Sequence, residues 1–250
     1  MAGSTWDSQS LKSKELSWGE EQLRLKCKLE LEDRFDDDHV GFVAGVDISF
    51  VKDSNRACAS LVVTSYPSLE LVYSDYEAVE MTEPYISGFL AFREVTFLVK
   101  LFDRLKSKRT KDASLPWPDV CLIDGNGILH SKGFGLASHL GVLIDCPTIG
   151  VGKTLFCTDG LDSRVVDMKA FFKGNIDEGY REMKLIGDSG SVWGAAVCTK
   201  GTTKPIFVSQ GHRVSLNTCV DIVKNCCKHR IPEPVRQADL LSRDWLRKHD

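Results

Sequence analysis

Two short apolar runs, each carrying one aspartate where a core residue belongs, constrain this chain more than any other feature. Asp47 lies within Phe42-Val43-Ala44-Gly45-Val46-Asp47-Ile48-Ser49-Phe50, and Asp124 closes Val120-Cys121-Leu122-Ile123-Asp124 directly before Gly125-Asn126-Gly127. Both runs predict strands. A third acid, Glu94, interrupts the stripe Ala91, Leu98, Leu101, Leu105, whose spacing marks the buried face of a helix. An uncompensated buried carboxylate costs on the order of several kcal/mol, so three of them strain a domain of ordinary stability. A hard divalent cation removes that cost, because Mg²⁺ takes carboxylate and water oxygens. Each acid also has a local alternative: Asp47 and Asp124 as caps or turn residues at strand ends, and Glu94 as one half of an ion pair with Arg93 or a neighbouring element.

The remaining pattern predicts the elements around these acids. Ser17-Trp18-Gly19-Glu20 has the spacing of a capping box and predicts a charged helix running to about Leu31, followed by an acidic loop over Glu32–Asp38. Phe42–Phe50, Ala57–Thr64 and Leu69–Glu77 predict an antiparallel meander, and Ser87–Lys108 the strongest helix. A strand at Val120–Ile123, a helix near Leu136–Val142 and a strand at Thr148–Val151 follow. Lys153–Arg181 yields no assignment. Strands at Val192–Thr199 and Pro205–Ser209, a helix at Leu216–Lys228 and a last helix from Pro234 complete the order, Pro234 suiting a first helical turn. Meander, long helix, strand, helix and strand is the element order of the ribonuclease H-like fold, an α/β class with a mixed central sheet flanked by helices. In that arrangement the strands of Asp47 and Asp124 are central neighbours, both carboxylates reach one mouth of the sheet, and Glu94 faces them from the helix.

Composition narrows the class of function. The chain has 250 residues, 42% of them hydrophobic, and shows no repeat, low-complexity linker or composition break, so one domain over 1–250 is expected, with 1–15 a flexible N-terminal segment. The net charge of −3 provides no global field toward nucleic acid or anionic membrane, so any polyanion contact must be local or neutralised by bound metal. Met1–Trp18 is polar and no run approaches bilayer-spanning length, so a soluble protein without a membrane partner is expected. Nine scattered cysteines, mostly within apolar runs, fit free thiols in a reducing compartment. Cys226-Cys227-Lys228-His229 lacks the paired spacing of a zinc site and falls in an apparent helix.

Several further motifs carry two meanings. Pro84-Tyr85-Ile86-Ser87-Gly88 either punctuates a helix start with Tyr85 packed on the core, or offers an exposed aromatic wedge that holds open the gap left by an extruded base. Gly125, Gly127 and Gly150 serve tight turns, or bare the backbone to a flat base edge. Gly150-Val151-Gly152-Lys153-Thr154 ends like a phosphate-binding loop, but Pro147 stands where that motif requires glycine. Lys153 reads better as a cation at a strand end, near enough to the acids to meet a scissile phosphate, or as a surface lysine. The basic residues of His229-Arg230-Ile231-Pro232-Glu233-Pro234-Val235-Arg236-Gln237-Ala238-Asp239 and of Lys106, Lys108, Arg109, Lys111 fit phosphate contacts or solvated faces equally, and Asp239 shares this ambiguity.

Taken together, these stretches resemble the endonuclease V family, inosine-specific nucleases, in its animal form. The matching segments are Val43–Phe50, Pro84–Glu94, Leu122–His130, Gly133–Gly141, Thr148–Lys153, Gly211–Leu216 and His229–Asp239, a likeness from about Leu16 to the C-terminus. The resemblance implies a ribonuclease H-like fold and dependence on Mg²⁺, with Mn²⁺ as a substitute. It implies Asp47 and Asp124 as main metal ligands, Glu94 as third acid, Lys153 as catalytic lysine, and Asp239 as a further catalytic acid where bacterial members carry histidine. Tyr85, flanked by Pro84 and Ile86, matches the strand-separating wedge, although Ser87 stands where bacterial wedges end in proline. Gly88, Leu90, Gly125, Gly127, Leu136 and Gly150 match positions lining the base pocket. The implied reaction cuts the second phosphodiester bond 3′ to inosine, leaving 3′-hydroxyl and 5′-phosphate ends. Single-stranded RNA is the implied partner and deoxyinosine DNA a lesser one. The expected protein is a monomer in the cytoplasm, with the nucleus and nucleolus as further compartments. Two other classes stay open on sequence alone: a catalytically silent nucleic-acid-binding module on the same fold, and a phosphate-loop triphosphatase.

Overall fold

Strand β1 (Phe42–Phe50) is buried along nearly its whole length, and so is β2 (Arg56–Ser65), which pairs with it antiparallel. The computed structural model describes residues 6–34, 40–174, 179–199 and 201–249. Strand β3 (Leu71–Glu80) closes the meander and alternates between half-buried and exposed positions, as an edge strand with one wet face does. On the other side of β1, β4 (Val120–Asp124) and β5 (Thr148–Gly152) continue in parallel; both are apolar and short because helices cover both their faces. Strands β6 (Arg181–Ile186), β7 (Val192–Cys198) and β8 (Ile206–His212) extend the sheet antiparallel, giving the order β3-β2-β1-β4-β5-β8-β7-β6. The expected mixed sheet and flanking helices are present, and the fold is ribonuclease H-like.

Helix α2 (Leu90–Arg109) lays Ala91, Val95, Leu98, Leu101, Phe102 and Leu105 against the face bearing Ala44, Val46, Cys121 and Ile123. Helix α3 (Leu136–Ile144) joins it there through Ala137 and Leu140. The opposite face, bearing Val43, Val120, Leu122 and Ile149, is covered by α5 (Leu216–Asn225) and by Val235 of α6 (Glu233–His249). Gly45 lies where α6 crosses β1: a Cβ there would stand 2.2 Å from the carbonyl carbon and oxygen of Pro234. The glycine is required by that close approach rather than by a turn.

Several expectations need correction. The first helix, α1, spans Ser8–Lys26 and is capped by Asp7, whose carboxylate accepts from the Ser10 backbone N–H at 2.7 Å. Residues 8–15, expected to be flexible, therefore belong to this helix, and Ser17-Trp18-Gly19-Glu20 lies inside it rather than at its start. The helix also stops short of Leu31, its last turn closing at Cys27. Of the expected acidic loop, residues 35–38 lie outside the described residues, as do 1–5 of the N-terminal segment. The unassigned stretch contains a 3₁₀ turn at Leu161–Arg164 and α4 (Val165–Gly174), and strand β6 begins at Arg181. Helix α5 ends at Asn225, so Cys226-Cys227-Lys228-His229 follows the helix instead of lying within it. Burial raises the Cys227 thiol to about 12, so it stands as a neutral thiol.

No helix among the described residues is long and apolar enough to cross a membrane. All nine cysteines are free thiols. Gly150–Gly152 is the buried end of β5, with Gly152 paired to Phe207, and no helix opens behind Lys153. A phosphate cradle needs such a helix N-terminus, so the triphosphatase alternative has no structural support.

Candidate active site

The parallel register sets Val46 opposite Ile123, so Asp47 and Asp124 come next along adjacent strands and point to the same face. Their carboxyls lie within hydrogen-bonding reach of each other. Glu94 reaches the same place from α2: a cavity of about 200 Å³ is lined by Asp47, Glu94 and Asp124 together with Phe50, Leu90 and Leu136. Asp47 and Glu94 are each 7% exposed. The stripe on α2 explains this burial, since Glu94 shares its face with buried Ala91, Val95, Leu98 and Leu101.

Electrostatics separate the three acids. Burial, and then the charge of Asp124, raise the Asp47 carboxyl to about 7. Burial, and then the charge of Asp47, raise Glu94 to about 8, against a smaller opposing pull from Arg93. Among the described residues neither of these acids has a cation within ion-pair distance, which sets aside the ion-pair alternative for Glu94. Asp124 differs, because Lys153 Nζ donates to its Oδ2 at 2.5 Å. Burial works to lower the Lys153 ammonium, but the hydrogen bond to Asp124 and the charges of Asp124, Asp47 and Asp239 outweigh it and raise it. Asp239, on α6, pairs with Arg243 at 2.9 Å and lines a larger groove of about 790 Å³ with Asp47, Asp124 and Lys153.

Serines that sequence patterns did not single out hold Asp47 in place. Ser242 Oγ donates to Asp47 Oδ2 at 2.9 Å, and Ser49 Oγ stands 3.1 Å from the same oxygen and 2.8 Å from Ser242. Both serine contacts fall on the same carboxylate oxygen. Ser49 was legible in principle, two residues from Asp47 on the same face of the strand. Ser242 was not, because it is brought in only by the docking of α6.

Among the described residues no three Asp, Glu, His or Cys side chains already stand as a closed ligand cage. Their chemistry nevertheless fits a divalent cation. Among the described residues two buried carboxyls have no cation within ion-pair distance, the charge of Asp124 raising Asp47 and that of Asp47 raising Glu94, and the donors are hard oxygens.

This yields a prediction about stability. In the unfolded chain Glu94 loses its proton near 4, in the folded chain near 8, so without metal the folded state weakens as pH climbs between those values. Buried His130 and His139, both depressed to about 4, push the other way up to the ordinary histidine range near 6.5, and largely mask the effect below it. Between pH 6.5 and 8 the carboxyls stand alone, and Glu94 contributes about 2 kcal/mol of loss, or a fall in Tm of roughly 4–8 °C. Thermal melts in EDTA should show that fall, Glu94→Gln should flatten it, and millimolar Mg²⁺ should reverse it in the unmodified protein only.

The other expected site residues are distributed around the acids. Tyr85 is 68% exposed on the loop between β3 and α2, with Pro84 and Ile86 half-buried beside it, so it does not pack on the core. Gly88 takes φ +82° in the same loop. Of the six residues expected to line a base pocket, Leu90 and Leu136 line the cavity at the acids. Gly125, Gly127 and Gly150 serve internal packing on the side a Cβ would occupy. A Cβ on Gly127 would meet the Gln210 carbonyl at 1.9 Å, one on Gly150 the Gly127 nitrogen at 2.4 Å, and one on Gly125 the Leu136 side chain at 3.4 Å.

A sheet of this order, with acids gathered at the ends of its central strands, defines the class as a ribonuclease H-like nuclease. Residues 23–240 match the family model described as Endonuclease V. The chain is 48% identical to mouse Endonuclease V over 239 residues, covering 92% of this chain and 69% of the relative. It superposes on the crystal structure of the catalytic domain of human Endonuclease V with a TM-score of 0.88 at 45% identity, covering 98% of each chain. It also matches Endonuclease V of Ciona intestinalis, solved with a 24mer DNA containing an inosine followed by a ribo-adenosine, with a TM-score of 0.85 at 37% identity, covering 95% of this chain and 100% of that one. The chain belongs to the Endonuclease V family.

Proposed function

We propose that this protein is a Mg²⁺-dependent endonuclease that recognises inosine in single-stranded RNA, and less readily deoxyinosine in DNA, and hydrolyses the second phosphodiester bond on the 3′ side. The observation that carries this reading is the set of buried, uncompensated carboxyls at Asp47 and Glu94 beside Asp124, inside a family whose Ciona member was crystallised with an inosine strand. Asp47, Asp124 and Glu94 would hold the divalent cation, which when bound lowers the pKa of water and offsets charge on the scissile phosphate. Lys153 then turns from Asp124 toward a non-bridging phosphate oxygen and adds electrostatic stabilisation where charge develops. Asp239 faces the same groove, its charge tempered by Arg243. Ser49 and Ser242 keep the Asp47 carboxylate in one orientation, so no reorganisation is needed as the substrate arrives.

Base selection follows from the small cavity. About 200 Å³ falls below the range of drug-sized sites and suits one extruded base between Leu90 and Leu136. Hypoxanthine presents an acceptor at O6, unlike adenine, and lacks the 2-amino group of guanine, so backbone donors near the glycine-rich turn can separate it from both. A ribonucleotide after the inosine, as in the Ciona complex, offers a 2′-hydroxyl that distinguishes RNA from DNA. Exposed Tyr85 supplies the stacking face that fills the vacated gap. Tyr85→Ala is expected to lower kcat/KM on an inosine strand about tenfold, the lower part of the range for one base stack; an unchanged value removes Tyr85 from recognition.

The deciding experiment incubates matched single-stranded RNA and DNA oligonucleotides, each with one inosine, in Mg²⁺ or EDTA, and maps the product ends. Cleavage one nucleotide beyond the inosine in RNA, lost in EDTA, is expected. Tight binding without cleavage in either buffer would establish the silent-module alternative instead.

A further inference from the structure

Asp47, Asp124 and Phe50 form a common wall between two spaces. The cavity of about 200 Å³ lies on the α2 side of the acids, and the groove of about 790 Å³ on the α6 side. The groove is far larger than a hydrated cation needs. Besides the acids and Lys153 it is lined by Lys52, Arg247 and Arg243, the last paired with Asp239. Lys52 is exposed and has no hydrogen bond or ion pair among the described residues. Arg247 is held only by an exposed pair to Asp244, which Lys248 shares, so its guanidinium is free to exchange partners at little cost. Phe50, between the two spaces, is a large apolar ring 46% exposed, with the Arg93 guanidinium 5.8 Å from its centre.

We propose that this side of the site is a subsite for the strand running 3′ from the inosine: Phe50 stacks the nucleotide between the extruded base and the cut, and Lys52 and Arg247 take backbone phosphates beyond it. The inference rests on the function proposed above and adds a direction to it. The base pocket lies on one side of the acids and the cut lies 3′ of the base, so the 3′ continuation must leave across the other side. That side offers an aromatic face together with cations, the combination with which single strands are held without reading sequence. A polyanion approaching three acids in a protein of net charge −3 also needs local cations, and Lys52 and Arg247 supply them beside Lys153.

The test uses inosine-containing single-stranded RNA in three forms: long on both sides, trimmed to two nucleotides after the cut, or trimmed equally before the inosine. For the unmodified protein, trimming the 3′ side is expected to weaken cleavage and trimming the 5′ side to leave it nearly unchanged. Lys52→Glu with Arg247→Glu should make the protein indifferent to 3′ trimming and flatten its log affinity against log salt by about 1.4, roughly 0.7 for each lost phosphate contact. Phe50→Ala should lower kcat/KM about tenfold, with Phe50→Trp restoring it. Unchanged melting temperatures of these surface variants separate lost binding from lost folding. Equal sensitivity to both ends, or an unaltered salt slope in the double variant, overturns the subsite. Failure of the unmodified protein to cut any inosine strand overturns instead the function on which it rests.

Discussion

Replacing Asp124 by alanine is expected to lower kcat by about a thousandfold or more at saturating Mg²⁺, while leaving binding of the inosine strand largely intact. The size follows from charge. Asp124 sits beside Asp47 at the ends of two central strands, and losing a ligand to the cation removes several kcal/mol of transition-state stabilisation, each 1.36 kcal/mol being about tenfold. Asp47→Ala should behave alike. Binding survives because the contacts proposed for the base and the strand, at Tyr85, Leu90, Leu136, Lys52 and Arg247, do not depend on Asp124. The Asp124 variant carries an informative side effect, since Lys153 loses its 2.5 Å partner and becomes available to phosphate. Its affinity for the strand should therefore hold or rise as its turnover collapses. Single-turnover cleavage and fluorescence anisotropy on one oligonucleotide measure both quantities, and full activity in either variant would falsify the metal-site assignment.

The second large effect is structural. Gly45→Ala should destabilise the protein by about 3 kcal/mol or more, roughly 6–12 °C in Tm, although it adds a single methyl group. That methyl would stand 2.2 Å from the Pro234 carbonyl and 2.6 Å from the Val235 nitrogen, backbone atoms that no rotamer change can move. Strand β1 cannot yield, because β2 and β4 hold it on both edges. Helix α6 must therefore lift, which strains the Ser60 hydroxyl bond to the Ala238 carbonyl and the Ser242 bond to Asp47. The folded fraction should accordingly cut more slowly than the unmodified protein, with a higher Mg²⁺ requirement. A Tm within 2 °C of the parent would show that α6 is not tied to β1 as described.

Local pattern made some of this legible. Asp47, Asp124 and Glu94 betrayed themselves because a charge inside an apolar run or helical stripe conflicts with its nearest neighbours in sequence. The meander and α2 were likewise visible from short-range periodicity, to within a few residues at their ends. Strand β6 was not, since its residues alternate weakly at the sheet edge and only Arg181 and Leu185 are buried. The start of α1 was misjudged because the capping-box spacing at Ser17 marked a later start than the actual cap at Asp7, and the helix is fixed by packing of Gln22 and Leu25 rather than by its own pattern.

Sequence alone determined the chemistry on offer: hard oxygen ligands, one strand-end lysine and an aromatic loop. Tertiary structure alone decided how they are used. Ser242 lies 195 residues from Asp47 yet bonds to it, Asp239 acquires Arg243 and a place at the groove, and Phe50 becomes a wall between two spaces. Periodicity reports which face of an element is apolar, whereas these relations depend on which elements cross and how closely, and that distance was set by a glycine at 45 and the backbone it admits.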